Sequence, residues 1–162
     1  MKENAFENSG PPLASADVAV LEALLKAQLP EEFCVHYYKY NGGLPTLDWF
    51  PSMSNREPIW IHEFLPIETG KAGSSGRTTI QSVYEIARSK ELFPSFLFAF
   101  ALDPGGNFFC LDVNDGSVCY WLNDVFDPGL GRDENWKKAR RELTSSFEEF
   151  MNCLVSEDEA YD

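Results

Sequence analysis

A glycine- and serine-rich stretch at positions 70–77, Gly-Lys-Ala-Gly-Ser-Ser-Gly-Arg, carries the most suggestive chemistry in the chain. A Walker-type phosphate loop needs Gly-Lys-Ser/Thr at its end, whereas Lys71 stands near the start of this stretch. The Gly-x-Ser-x-Gly order of a hydrolase nucleophile elbow is also missing. The composition therefore predicts a surface loop.

Oxygen-bearing side chains between positions 103 and 115 could suggest a calcium site, because hard cations bind several oxygens from one tight loop. Counted from Asp112, however, glycine takes the fifth position instead of the sixth, and Asn123 takes the twelfth. The four cysteines form no Cys-x-x-Cys pair, and only two histidines are present, which disfavours zinc. We expect no metal and no cofactor.

Nucleophilic catalysis has no local support in the sequence. Cys34 and His36 are two residues apart, and on a helix this spacing points them to different faces. His62 has no obvious partner nearby in the chain. We expect that the protein is not an enzyme, and that its cysteines are reduced residues of the core.

The central elements are three strand-like runs at 96–124. The first run is continuously apolar, as in a strand buried on both faces. Gly105-Gly106 marks the turn after it, and Asp115-Gly116 is a strong signal for a two-residue hairpin loop. The block therefore predicts a three-stranded antiparallel meander.

A two-residue loop at Asp115-Gly116 would place Asp112 opposite Cys119 and give the hairpin two different faces. One is apolar and the other mixes aromatic and polar side chains. The apolar face holds Phe109, Leu111, Val113, Val118, Tyr120 and Leu122, and the mixed face holds Phe108, Cys110, Asp112, Cys119, Trp121 and Asn123.

Aromatic side chains beside acids are typical of protein-binding surfaces. The mixed face and the acids that follow it therefore suggest a partner-binding site at Asp112, Trp121, Asp124 and Asp127. The alternative is that a helix covers this face as a second layer of the fold.

Helical patterns surround the meander. Apolar residues at helical spacing predict a helix from Ser15 towards Pro30 and a second one that ends at Asn41-Gly42-Gly43. A charged helix is predicted over Asp133–Leu143, and a last helix begins at Ser146, which can cap it.

The length of 162 residues fits one domain, which needs no disulfides for its stability. Residues 1–14 are polar and read as a disordered lead-in. Residues 157–162 read as an acidic tail, so the folded domain is expected at 15–156.

Several segments follow the motif order of a known family. Phe100, Ala101, Asp103, Gly105, Gly106 and Asn107 fit a Phe-Ala-x-Asp-x-Gly-Gly-Asn motif. Further matches are Leu29-Pro30-Glu31-Glu32-Phe33, Asn41-Gly42-Gly43, Cys110-Leu111-Asp112, Val118, Tyr120, Trp121 and Ser146-Phe147-Glu148-Glu149-Phe150. Together they resemble the SUKH superfamily of bacterial toxin-immunity proteins and fungal cell-wall-assembly regulators. Many members carry a histidine where this chain has Asn123-Asp124.

The resemblance implies an α+β fold with one mainly antiparallel sheet, a central meander and packed helices. It also implies that a set of turn residues is structural: Gly42, Gly43, Asp103, Gly105, Gly106 and Asn107. In function it implies a cytoplasmic immunity protein that binds and neutralises a cognate toxin domain. The alternative is a regulatory or scaffold module of the cell-wall-regulator type.

Charge supports a basic protein partner. The chain has 13 basic and 26 acidic residues, and a net charge of −13 repels nucleic acid. Toxins that act on nucleic acid, such as nucleases, are basic because they hold phosphates, so an acidic inhibitor would be steered towards them. Acidity could equally serve solubility alone. No signal peptide or membrane span is recognisable, so we expect a cytoplasmic protein without membrane contact.

Overall fold

The computed structural model describes residues 2–70 and 77–162, so most of the predicted loop at 70–77 lies outside the described residues. The protein has the predicted α+β fold around one hydrophobic core. Its strands are β1 Phe6–Glu7, β2 Leu44–Pro45, β3 Trp49–Phe50, β4 Ile59–Trp60, β5 Glu63–Phe64, β6 Leu97–Leu102, β7 Phe108–Asp112, β8 Val118–Trp121 and β9 Arg140–Thr144. Its helices are α1 Ser15–Leu25, α2 Glu31–Lys39, α3 Ile80–Ser89, α4 Arg132–Ala139, α5 Phe147–Cys153 and α6 Glu157–Ala160, with a 3-10 helix at Asn123–Val125.

The main sheet is antiparallel and follows the chain in the order β5-β6-β7-β8-β9. Its centre, β6-β7-β8, is the predicted meander. The predicted hairpin register is wrong, because Leu111 pairs with Val118 and Cys110 pairs with Cys119. Asp112 accordingly lies opposite Ser117, and the backbone N–H of Asp112 donates to the Ser117 carbonyl at 2.9 Å. The observed register differs from the predicted one by two residues. Because side chains alternate between the two faces of a strand, each residue still lies on the face predicted for it.

Strand β9 was not predicted. Helix α4 ends at Ala139, and the chain continues as a strand that pairs Arg140 with Trp121. The residues of β9 are mostly good helix formers, so local propensity favours continuing the helix. The open edge of β8 offers backbone hydrogen bonds that outweigh this preference.

The first residues of the chain are part of the fold, contrary to the expected disordered lead-in. Strand β1 pairs with β2, and the Asn4 side chain exchanges hydrogen bonds of 2.8 and 2.9 Å with the backbone of Leu47. Phe6 is buried, with its ring 4.9 Å from that of Phe64. A two-residue strand leaves too short a pattern to detect in the sequence.

The predicted acidic tail also has structure. Residues Glu157–Ala160 form helix α6, and Ser156 and Glu159 make a capping box at its start. Ala160 is buried, and the Tyr161 ring lies 5.6 Å from that of Trp49. The acids lie on the exposed side of a short helix packed against β3.

Buried aromatic side chains lie on both faces of the main sheet. On one face, α5 brings Phe147 to 5.4 Å from Phe100, measured between ring centroids. On the other face, Phe93, which follows α3, lies 5.8 Å from Phe108 and 5.9 Å from Trp121. The mixed face of the hairpin is therefore the covered second layer that formed the alternative prediction.

Candidate protein-binding site

The motif turn between β6 and β7 is a hydrogen-bonded clasp. The Asp103 carboxylate accepts bonds from the backbone N–H of Asn107 at 2.8 Å and from its side-chain amide at 3.0 Å. The Tyr120 hydroxyl on β8 donates to the same carboxylate. Gly106 has a φ of +85°, a backbone conformation that favours glycine, whereas Gly105 has no positive φ. The conformational demand of this turn therefore falls on Gly106.

The clasp extends to the 3-10 helix. The side-chain oxygen of Asn107 accepts a bond from the backbone N–H of Asn123 at 2.9 Å, and the Asn123 side chain donates to the Gly106 carbonyl at 2.7 Å. These bonds fix the point at which the chain leaves β8. They thereby set the position of Asp124, which is exposed.

Gly42 and Gly43 allow close approach of backbone segments after α2. Their φ values are +73° and +114°. A Cβ on Gly43 would lie 2.4 Å from the Glu7 carbonyl oxygen, and one on Gly42 would lie 2.7 Å from the Pro66 nitrogen. Because the two glycines have no side chains, β1 and the segment after β5 can pack against this turn.

Asp112 is unsuitable as a partner contact, which corrects its predicted role. It is only 5% exposed, and its carboxylate forms an ion pair with Arg140 at 3.0 Å. Its other oxygen accepts a bond from the backbone N–H of Asn114 at 2.9 Å. A buried, paired carboxylate of this kind stabilises the hairpin and is not accessible to a binding partner.

Trp121 is likewise buried, with 2% exposure, so it cannot act as a protruding anchor. It instead helps to line a cleft of about 380 Å³ between the segment after α3, the 3-10 helix and α4. The cleft also holds Leu92, Phe126, Leu130 and Trp136. The structure thus brings the predicted tryptophan to a concave surface, next to the segment that carries Asp124 and Asp127.

Phe126 dominates the rim of this cleft. Its side chain is 70% exposed, and Leu130 is 41% exposed. An exposed phenylalanine beside further exposed apolar residues is unusual for a soluble surface and is typical of interaction sites.

The loop that carries Phe126 is fixed from below by Asn135. The Asn135 side chain accepts a bond from the Asp127 N–H at 2.8 Å and donates to the Asp127 carbonyl at 3.0 Å. It also donates to the carbonyls of Leu130 and Gly131, both at 3.2 Å. The Asp127 carboxylate itself is half-buried and accepts from Gly129 N–H at 2.8 Å. The apolar rim is therefore held in place before any partner binds.

The opposite wall of the cleft is tied together by aromatic and ionic contacts. Arg132 lies 4.7 Å above the Trp136 ring and forms an ion pair with Glu91 at 3.1 Å. The Trp136 indole donates to the Glu91 carbonyl at 3.1 Å. With Lys90 also in the lining, the cleft itself holds two cations and one carboxylate. Long-range attraction would come from the net charge of the molecule and from free acids such as Asp124.

A sequence model of the SMI1 / KNR4 family (SUKH-1) matches residues 12–153, which include the motif turn, the meander and α4. The chain belongs to the SMI1/KNR4 family. This match confirms the resemblance to the SUKH superfamily. A search of curated proteins finds no relative that matches the chain.

Three strongly perturbed titratable groups of this SMI1/KNR4-family protein lie in its core and do not line the cleft. Burial, with a smaller contribution from Lys39, lowers the pKa of His36 to about 4. Burial raises the pKa values of Tyr37 and Cys110 well above their usual range, and a hydrogen bond with Cys119 adds to the effect on Cys110. Such groups resist ionisation at neutral pH.

Within residues 2–70 and 77–162 of this SMI1/KNR4-family protein, no three His, Cys, Asp or Glu side chains come together as a metal site. None of the helices there is long and apolar enough to cross a membrane.

Sequence reasoning missed the residues that shape the cleft in this SMI1/KNR4-family protein, namely Phe126, Leu130 and Asn135. A phenylalanine in the polar segment before Pro128-Gly129 was the available signal, because turns seldom need a large apolar side chain. Asn135 lay inside a predicted helix, and nothing in the sequence indicated that its side chain would bond the backbone of the preceding loop.

Proposed function

We propose that this SMI1/KNR4-family protein is a cytoplasmic immunity protein that binds a basic toxin domain and neutralises it. The binding surface is the cleft, with Phe126 and Leu130 as apolar anchors. The observation that carries the proposal is the exposed, pre-organised Phe126 on a protein with a net charge of −13.

Charge and packing have separate roles in this proposal. The net negative charge steers a basic domain towards the protein and raises the association rate. Asp124 has no ion-pair partner within the described part of the chain, so its charge is available. Phe126 supplies apolar contact, which slows dissociation once the complex has formed.

We also propose that the protein inhibits by binding, without catalysis of its own. This is supported by the positions of His36, Tyr37 and Cys110, which lie in the core instead of at the cleft. A binding protein needs no activated nucleophile at its surface.

The test is co-expression with the product of the adjacent gene, together with co-purification of the two proteins. We expect relief of the toxicity of that product and a stable complex of fixed stoichiometry. A regulatory module of the cell-wall-regulator type would instead bind several host proteins and would leave the toxicity unchanged. Failure to bind the neighbour and to relieve its toxicity would refute the immunity role.

A further inference from the structure

A second concave surface lies between the segment at 51–58 and strand β9. It is a groove of about 390 Å³ and shares no lining residue with the cleft. Its walls are partly apolar, with Phe50 and Ile59 on one side and Leu143 on the other. Its polar lining comes mainly from charged side chains: Arg56, Glu57, Arg140, Arg141 and Glu142.

The charge of Arg140 is compensated within the protein. Its guanidinium forms ion pairs with Asp112 and with Glu142. Desolvation opposes its charged form, but these partners outweigh burial and raise its pKa above the ordinary arginine value. Arg140 therefore has a structural role beneath the groove.

Arg56 and Arg141 have no such compensation. Across the described ranges, neither has a carboxylate within ion-pair distance. The Nε of Arg141 is buried and finds no hydrogen-bond partner there. Desolvation lowers the pKa of Arg141, and the nearby charge of Arg56 lowers it further. Both guanidiniums line the groove, so their like charges repel each other.

Arg141 is held in place by the turn clasp. Its guanidinium carbon lies 5.6 Å from the centre of the Tyr120 ring. The Tyr120 hydroxyl is bonded to Asp103 and accepts a bond from the Asn107 side chain at 3.2 Å, so the ring is fixed. The orientation of Arg141 is therefore set by the protein before a ligand arrives.

Two like charges that line one groove without a carboxylate partner destabilise the free protein. An oxyanion between the guanidiniums would offset their repulsion, because carboxylate and phosphate oxygens match the planar guanidinium fork. We propose that Arg56 and Arg141 form a binding site for the carboxylate or phosphate group of a small ligand. The apolar walls would contact the remainder of that ligand.

Selectivity follows from the surrounding charges. Glu57 lines the same groove, so one carboxylate stands against two uncompensated guanidiniums. The net charge of −13 repels anions in general. The site therefore suits a singly or doubly charged group and disfavours a long polyanion such as nucleic acid. This inference does not depend on the proposed immunity role, because it concerns a different surface.

The test is a titration of the arginine Nε–H resonances by ¹H–¹⁵N spectroscopy with inorganic phosphate, with acetate, and with chloride at matched ionic strength. We expect saturable shifts at Arg56 and Arg141 with phosphate, acetate or both, and only small linear shifts with chloride. A response to phosphate alone assigns a phosphate-bearing ligand, and a response to acetate alone assigns a carboxylate.

Arg56→Gln is the decisive variant, because Arg56 is exposed and its removal should leave the fold intact. We expect apparent affinity for the responding probe to fall at least tenfold. Arg88→Gln is the matched control, since Arg88 is exposed and lies 5.7 Å from the Tyr84 ring. It should bind like the wild type. Equal responses to all three salts, or unchanged binding by Arg56→Gln, would overturn the proposal.

Discussion

The Asn135 side chain bonds both backbone groups of Asp127, at 2.8 Å to the N–H and 3.0 Å to the carbonyl. Asn135 is buried under the loop, and Phe126 stands exposed immediately before Asp127. One side chain in α4 thus fixes the loop that presents the main apolar anchor of the cleft.

Asn135→Ala should release this loop. It leaves buried backbone groups of Asp127 unsatisfied, at a cost of about 1–3 kcal/mol in the free energy of unfolding. Hydrogen exchange at the Asp127 amide should become much faster while exchange in the main sheet changes little. Asn152→Ala is a control at an exposed asparagine that accepts one bond from Lys2. Unchanged protection of the Asp127 amide would contradict the role of Asn135.

The hydrogen bond between Asp103 and Tyr120 should appear as an interaction energy between substitutions of the two residues. Asp103→Asn and Tyr120→Phe each weaken a hydrogen bond to a charged group, so we expect an interaction energy of about 1–3 kcal/mol in a double-mutant cycle followed by urea unfolding. Tyr84→Phe removes a comparable hydroxyl that bonds the Ser95 carbonyl. It should show no coupling with Asp103→Asn, and additive effects of Asp103→Asn and Tyr120→Phe would refute the clasp.

His36 should make the protein sensitive to mild acid. Its pKa is lowered to about 4 in the folded state, compared with about 6.5 when unfolded. As pH falls from 6.5 to 4, the unfolded state takes up a proton that the folded state does not. The contribution of neutral His36 to the free energy of unfolding is thus fully present above pH 6.5. About 3 kcal/mol of it is lost as the pH falls towards 4.

The pH dependence of chemical unfolding tests the role of His36. His36→Leu should flatten the loss of stability between pH 6.5 and 4, because it removes the titrating group. His62→Leu, at an exposed histidine, is the matched control and should keep the wild-type slope. The same slope in all three proteins would show that His36 is not responsible.

The glycines should differ sharply in their tolerance of alanine. Gly43→Ala should cost several kcal/mol, because the new Cβ would lie 2.4 Å from the Glu7 carbonyl oxygen. Gly106→Ala should cost about 1–2 kcal/mol from its φ of +85° alone, since no atom lies within 4 Å of the added carbon. Gly105→Ala and Gly70→Ala should be close to neutral. The order of urea midpoints checks this ranking, and a large loss for Gly105→Ala would contradict it.

The sequence predicted those features that depend on local periodicity. The faces of the β7-β8 hairpin follow from the two-residue repeat of a strand, so they survive the error in register. The predicted register was wrong because the loop has four residues, 113–116, between the paired Asp112 and Ser117. Gly116 in this loop has a φ of +78°. A two-residue Asp-Gly turn was the stronger local signal.

The remaining features depend on contacts between distant segments. Strand β9 forms where Arg140 meets Trp121, and β1 forms where Phe6 meets Pro45. The burial of Asp112 and Trp121 needs β9 and the segment after α3, which the sequence pattern did not place over the mixed face. The polar segment around Phe126 was a signal in the sequence, but the exposure of its side chain depends on which segments the fold places around it.

The central claim is that Phe126 anchors a basic partner at the cleft, and binding kinetics with the product of the adjacent gene test it most directly. Phe126→Ala should unfold like the wild type, because its side chain is 70% exposed, yet its complex should dissociate at least tenfold faster. Asp124→Asn should mainly slow association at low salt, whereas Val20→Ala and Glu148→Gln, at exposed positions away from the cleft, should bind like the wild type. Wild-type dissociation by a folded Phe126→Ala would contradict the claim.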